Sequence, residues 1–306
     1  MQKAPPTPKG FRDIQPELAK KRRGVIGKIV EVLEEFEFVP IETPTIEFAE
    51  TLKGKYGEEE RLIYQFKDRG GRELALRYDL TVPLARYVAT YHPPLPFRRY
   101  QIGQVFRGEN PQKGRFREFT QLDFDTVGSE RMVEDTKIIA AALKIARHLG
   151  LKNAKMFINH RVNFEGIPID FVRAIDKIYK IGMDGVKKEL LAKKYEEKDI
   201  NNYIEKVTEK LRENINTPSF DLFKINTQLQ DEYKLTLGQD YDFDANLARG
   251  LDYYTGTIFE LKPNSNPESL TIGAGGRYDN LIGMFSKKQV PAVGFSFGVD
   301  RLIEVI

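Results

Sequence analysis

Two stretches near the middle of the chain, FRRYQIGQVFR (97–107) and FREFTQLDFDTV (116–127), limit the possible folds more than any other part of the sequence. Both have the composition of strands, and the polar segment between them is short enough to make them a hairpin. In the second, Gln121, Asp123 and Asp125 alternate with Leu122, Phe124 and Thr126. The period of two puts three polar residues on one face and the apolar ones on the other. Such a strand fits a solvated sheet face, or, as the sharper reading, a polar cavity beneath a sheet. The connecting loop adds Arg107, Lys113, Arg115 and Arg117 within a few residues of those acids.

Other segments extend the same architecture. Residues 17–38 carry Val25, Ile26, Ile29, Val30, Leu33 and Phe36 at helical spacing, then give way to the extended, proline-bearing VPIETPTIEF. Two apolar runs joined by DRGG predict a second hairpin before a helix beginning near DLTVPLARY. A further helix is expected after GSERMVED, with Ser129 as its N-cap and Gly150 as its stop. Residues 161–235 are helical in pattern, highly charged and poor in strand formers, which predicts an inserted helical subdomain; solvated helix faces account for its charge better than a binding surface does. Strands return in DFDANLARG, GTIFELKP and SLTIGAGG, followed by a helix from RYDNLIGMF and a strand-to-helix junction in PAVGFSFGVDRLIEVI. The expected organisation is a core of residues 1–160 and 236–306 interrupted by the 161–235 insertion. Hairpins outnumber strand–helix–strand units, so the fold class is α+β, with an antiparallel sheet covered by helices.

Composition narrows the chemistry. The 306 residues contain no cysteine, which removes disulfides, thiolate metal sites and a cysteine nucleophile, and suits a reducing compartment. Prolines occupy the N-terminal segment where a signal peptide needs an apolar run, and no stretch approaches the roughly 18 apolar residues of a membrane span. A cytoplasmic location is therefore expected. With 48 basic and 45 acidic residues, net charge alone does not indicate nucleic-acid binding. There is no GxxxxGK[ST], and GAGGRYD is not GxGxxG, so a bound phosphate would have to be held by side chains. His92, His148 and His160 are dispersed and lack metal-ligand spacing, and no nucleophilic triad stands out.

Arginine suits phosphate because its planar fork donates paired, charge-assisted hydrogen bonds and stays protonated when buried. Arg107, Arg115, Arg249 and Arg301 stand at strand ends or beside glycine, as with Gly250 in ARGLDYYTG, where backbone is kept clear of side chains. For any one of them alone, pairing with a surface carboxylate is the better reading; their shared contexts oppose it. Asp79, Thr81, Gln121, Asp123 and Asp125 form an acidic and polar counter-set.

These motifs resemble those of class II aminoacyl-tRNA synthetases, and specifically the histidyl-tRNA synthetase family. FVPIETPTIE is similar to class motif 1, with Pro44 at its proline; FRGENPQKGRFREFTQLDFD to motif 2; AVGFSFGVDRL to motif 3. ARGLDYYTGTIFE and GAGGRYDNL resemble the two histidyl signatures, and LRYDLTVPLARY a further substrate segment, so the resemblance covers residues 10 to 306.

The resemblance implies a six- or seven-stranded antiparallel sheet flanked by helices, a homodimer formed through the motif 1 region, and the use of ATP with Mg2+ to activate L-histidine for transfer to tRNA(His). It implies that Arg107 and Arg249 grip the α-phosphate as catalytic residues, with Arg107 also near the substrate carboxylate. Glu109 would lie near the adenine, Arg115 on the γ-phosphate, and Phe116 and Arg301 on the two faces of the base. Asp79, Thr81, Gln121 and Asp125 would hold the histidine α-amino group, while Tyr253 and Tyr254 would line the imidazole pocket and Arg249 would also contact the amino acid. Two departures stand out: Glu37 occupies a position where the family often has glycine, and the sequence stops at Ile306, before the anticodon-reading domain that the family carries. The second departure leaves an alternative, a non-catalytic relative such as the regulatory subunit of ATP phosphoribosyltransferase; retention of the full arginine set opposes it.

Overall fold

The computed structural model describes residues 5–111, 115–249 and 253–306; Lys113 and Gly250 lie outside the described residues. Helix α1 (Pro16–Glu35) opens on a proline, whose missing N–H is harmless in a first turn, and buries Val25, Ile29, Val32 and Leu33 along one stripe. The chain leaves it through Glu37 at φ 66°, a left-handed conformation that glycine adopts without strain. That conformation explains why a glycine is expected there; here the Glu37 carboxylate instead reaches Lys137 at 3.2 Å, which lowers its pKa.

Strands β1 (Val39–Pro40) and β2 (Ile46–Phe48), helix α2 (Ala49–Leu52), and strands β3 (Gln65–Lys67) and β4 (Glu73–Leu76) follow. The DRGG turn joins β3 to β4 as expected: Asp68 Oδ1 accepts the N–H groups of Gly70 and Arg72, and Gly71 supplies φ 78°. Next come α3 (Thr81–Tyr91), β5 (Phe97–Phe106), β6 (Glu118–Val127), α4 (Met132–His148) and β7 (Lys155–His160). The N-cap of α4 is Arg131 and not Ser129, whose hydroxyl accepts the Arg131 N–H from just outside the helix. Between β7 and the next strand the chain is helical: α5 (Ile169–Ile175), α6 (Ile178–Ala192), α7 (Glu197–Asn216) and α8 (Asp221–Asp231). It ends with β8 (Tyr241–Phe243), β9 (Thr257–Lys262), β10 (Gly273–Arg277), β11 (Ala292–Gly298) and α9 (Val299–Val305). The RYDNLIGMF segment forms no α-helix, only a short 3-10 turn at Ile282–Met284.

Among the described residues the main sheet has eight strands in the order β1-β5-β6-β11-β10-β9-β7-β8, with a separate sheet β2-β4-β3. This corrects the expectation of a purely antiparallel sheet of six or seven strands. The six inner strands are antiparallel, but β1 pairs parallel to β5 and β8 parallel to β7, so the sheet is mixed. The added strands are two and three residues long, too short to show a period, and they arrive from helices and not from hairpins.

One face of the sheet is the main core. Tyr100, Phe124 and Phe295 stand opposite one another across β5, β6 and β11, as do Ile102, Leu122 and Phe297. Helices α1, α4, α8 and α9 contribute to the same apolar cluster. Phe124 is at its centre, with no exposed surface and ring centroids 5.4 Å from Phe38 and 5.6 Å from Phe295. Phe124→Ala should therefore lower the unfolding free energy by roughly 3–5 kcal/mol, because so confined a site collapses poorly around the cavity. Denaturant titration should show the midpoint falling with an unchanged slope.

Candidate active site

The opposite face of the same three strands carries the polar residues. In register, Arg99, Asp125 and Gly294 form one row, Gln101, Asp123 and Ser296 the next, and Gly103, Gln121 and Gly298 the third. The alternation read in β6 is thus realised, and its polar face is buried and not solvated. Arg99 is fully buried, and its Nη2 is 2.8 Å from Asp125 Oδ2 directly across the strand pair. Gly294 is required here: a β-carbon at that position would fall 1.8 Å from Asp125 Oδ1.

Asp79, just before α3, joins this acidic group. Its Oδ1 accepts the Val82 N–H at 3.0 Å and the Tyr56 hydroxyl at 2.9 Å, and Thr81 contributes its backbone N–H to the same carboxylate. Burial raises the pKa of Asp79, opposed by those hydrogen bonds and by the nearby Arg107. Burial also raises Asp125, against the pull of Arg99 and of the Tyr278 hydroxyl, which donates to it. Asp123 is pushed up to about 7 by burial first; Arg99 opposes the shift, and the negative charges of Asp125 and Asp79 reinforce it. Asp79 Oδ2, Gln121 Oε1 and Asp123 Oδ1 accept no hydrogen bond although all are shielded from solvent. Buried acceptors without donors are costly, and a cluster of them is suited to a cationic ligand that donates several hydrogen bonds.

Tyrosines close the cluster. The Tyr253 ring lies 4.8 Å from Tyr254 and 6.0 Å from Tyr278, and Tyr56 packs 4.7 Å from Tyr78. Burial raises the hydroxyl pKa of all five, leaving them neutral donors at ordinary pH. Tyr56, Tyr78, Tyr278, Ser296 and Arg99 were not picked out from the sequence. Tyr278 stands inside the quoted GAGGRYDNL, and Arg99 shares the alternation of Gln101 and Gly103 along β5, so both left a readable signal.

The cations gather beside this pocket. Arg107 leaves the end of β5, lays its guanidinium 4.3 Å over the Tyr78 ring and donates to the Tyr78 carbonyl. Arg115 pairs with Glu109 at 3.0 Å. Arg301, in α9, has its pKa lowered by burial and then by repulsion from Arg115 and Arg107, with Glu109 giving partial relief. Arg107 and Arg115 lie close enough to Arg301 to repel it, an arrangement suited to an anion of multiple charge. Arg117 is not part of it: its backbone N–H donates to Gly10 and its Nε to the Glu109 carbonyl.

Arg249 lies beside the tyrosines, its guanidinium 5.9 Å from the centroid of the Tyr254 ring. It sits at φ 56°, and its Nη1 donates to Glu260 Oε1 on β9 at 2.7 Å. Burial would lower its pKa, but Tyr254, Glu260 and Asp176 more than offset that, and it is raised overall. Glu260 is fixed in turn by Thr271 at 2.9 Å and Lys262 at 3.2 Å. The histidines take structural parts: His160 accepts the Val162 N–H and faces Asp221 at 3.4 Å, His148 faces Glu31, and His92 caps α3. Among the described residues no group of three or more His, Cys, Asp or Glu could hold a metal ion.

The geometry can be set beside known proteins. The family model described as histidyl-tRNA synthetase matches residues 10–232 and 205–302. The chain is 41% identical to the histidine–tRNA ligase of Helicobacter acinonychis (strain Sheeba) and 42% identical to that of Korarchaeum cryptofilum (strain OPF8); each alignment covers 97% of this chain and 74% of the relative. Among solved structures, histidyl-tRNA synthetase from Nostoc sp. PCC 7120 superposes with a TM-score of 0.81 at 29% identity, over 98% of this chain and 74% of that one. An ATP phosphoribosyltransferase regulatory subunit/histidyl-tRNA synthetase from Bacillus halodurans C shares the fold, with a TM-score of 0.79 at 24% identity, over 100% and 84%. The chain spans about three quarters of the length of these curated relatives. On its sequence and on the sheet that carries its site, the chain belongs to the histidyl-tRNA synthetase family.

Proposed function

We propose that the protein is a class II histidine–tRNA ligase that joins L-histidine to ATP as histidyl-adenylate and passes the histidyl group to tRNA(His). One observation carries this reading: Arg107 and Arg115 crowd against Arg301 next to a buried group of carboxylates with unfilled acceptor positions. The first matches a triphosphate and the second an ammonium group, and the reaction joins the two molecules that bear them. The alternative regulatory reading is not better supported, since a sensor of histidine has no need of the phosphate-binding arginines.

In this assignment the histidine α-amino group pairs with Asp79, Asp125 and Gln121, assisted by Thr81, and Tyr253 and Tyr254 line the imidazole. Its carboxylate, already a nucleophile, attacks the α-phosphate in line. An oxygen–phosphorus bond forms as the bond to pyrophosphate breaks, so no general base is needed. Arg107 and Arg249 neutralise the charge that gathers on the α-phosphate, Arg115 holds the γ-phosphate, and Phe116 and Arg301 enclose the adenine near Glu109. The described residues do not form a metal cage, so magnesium would be carried chiefly by the phosphates, and no step here depends on it. Residues 161–235 are assigned as a helical insertion within the catalytic core. A cytoplasmic location is proposed by analogy with the reducing environment that a cysteine-free chain permits; among the described residues no helix is long and apolar enough to cross a membrane.

A homodimer is proposed through the motif 1 region, where Val39, Ile46 and Phe48 are exposed on neighbouring segments. A second copy laid over this patch would cover both the apolar side chains and the two-residue edge strand.

Three outcomes test the reading. The protein should catalyse histidine-dependent exchange between pyrophosphate and ATP, and Arg249→Ala should reduce it by on the order of 10²- to 10³-fold with an unchanged circular dichroism spectrum; full activity in that variant would remove Arg249 from the mechanism. Phe48→Glu should convert a dimer to monomer in sedimentation velocity, and a wild-type protein already monomeric at micromolar concentration would refute the interface. Asp123 has an unfolded pKa near the ordinary 3.9 and a folded value of about 7, so the folded state binds the extra proton. Its stabilising contribution is present below about pH 4 and is lost as pH rises through about 7. Asp123→Asn should therefore flatten the fall in stability across that interval, by on the order of a few kcal/mol at its upper end. Parallel stability–pH curves for the two proteins would rule this out.

A further inference from the structure

The segment before α1 is fastened beside the candidate ATP site at several points. The Arg117 N–H donates to the Gly10 carbonyl at 2.8 Å, and the Phe11 ring packs 6.3 Å from Tyr64. Arg12 is the residue that reaches furthest in. Its guanidinium lies 3.6 Å from the centroid of Phe116 and also pairs with Asp300, whose side chain is almost entirely shielded. Asp300 in turn receives Arg22 from α1 and the Thr120 backbone N–H of β6 at 2.9 Å. Arg22 also donates to the Thr120 hydroxyl, which donates to Gln104 on β5 at 2.7 Å.

Phe116 and Arg301 are the two walls assigned to the adenine slot. They come from separate motifs, and no hydrogen bond can hold a phenyl ring in place. Arg12 touches both sides of the problem, because it stacks on Phe116 and pairs with the residue adjacent to Arg301. A planar cation over a ring gains both electrostatic and dispersion energy while leaving the ring's other face open. We propose that Arg12 is a positioning residue for ATP, fixing the separation of Phe116 and the start of α9 so that the purine slot exists before the nucleotide arrives. Its guanidinium meets Asp300 and Phe116 and not the carboxylates of Asp79 or Asp125, so its effect falls on ATP and not on histidine. This inference rests on the ligase reading for the identity of the slot.

Initial rates of histidine-dependent pyrophosphate exchange for wild type, Arg12→Ala and Arg12→Lys test it. Arg12→Ala should raise the KM for ATP about tenfold, the scale of one stacked, partly buried cation, while leaving the KM for histidine within about twofold. Arg12→Lys keeps the charge opposite Asp300 but loses the planar stack, and should give an intermediate KM for ATP. Equal rises in both KM values, or a fall in kcat alone, would overturn the proposal in favour of a merely structural arm. If wild-type protein shows no exchange at all, the ligase reading fails first. Calorimetric titration with ATP then still judges the arm: weaker binding by Arg12→Ala supports it, and equal Kd values or no ATP binding by either protein dismiss it.

Discussion

A fully buried arginine opposite a fully buried aspartate, Arg99 across from Asp125, organises the rest of the site. An isolated charge in that position would be too costly to tolerate, and even a pair contributes little net stability unless its remaining valences are met. The surrounding residues follow from that demand. Tyr278 donates to Asp125, Gly294 withholds a side chain to make room for it, and Gln121 bonds Ser296 on the adjacent strand. Arg99 Nε stays without a partner even so, and the unmet oxygens of Asp79, Asp123 and Gln121 are where the proposed reading places a ligand's ammonium.

The sheet makes this possible by having two unlike faces. Phe124 and Asp125 are neighbours in sequence, yet one lies at the centre of the main apolar cluster and the other in the pocket. The apolar face holds the strands in a fixed register, so the polar rows on the opposite face are positioned by packing that has no direct part in binding. A slip of one residue would exchange the two faces entirely, which explains why so much aromatic packing is spent on β5, β6 and β11.

The arginines solve a different problem. Arg107, Arg115 and Arg301 are held by a ring face, a single carboxylate and burial respectively, and the first two repel the third. They are kept together by the elements that carry them and not by mutual attraction, which is the expected form of a site completed by a polyanion. Arg249 differs in resting on Glu260, a partner itself anchored by Thr271 and Lys262, so its charge is balanced while no phosphate is bound.

Much of this was legible in the chain itself. Period-two alternation in 119–126 fixed which residues face together, because strand geometry leaves no other choice, and glycine-flanked arginines marked the anion side. The family signatures supplied the binding residues proposed above. Three kinds of information were out of reach. Strands of two and three residues carry no period, so the parallel edges that make the sheet mixed could not be read. Pairings such as Arg99 with Asp125, or Tyr56 with Asp79, join residues distant in sequence, and nothing local distinguishes a buried arginine from an exposed one. The arm from Gly10 to Arg12 reads as a proline-rich terminus with no periodic signal; it has a place in the site because folding brings α9 and β6 beneath it, over a sequence separation of nearly the whole chain. Local periodicity records which way a side chain faces, whereas its partner, and hence its charge state and its use, is settled by long-range packing.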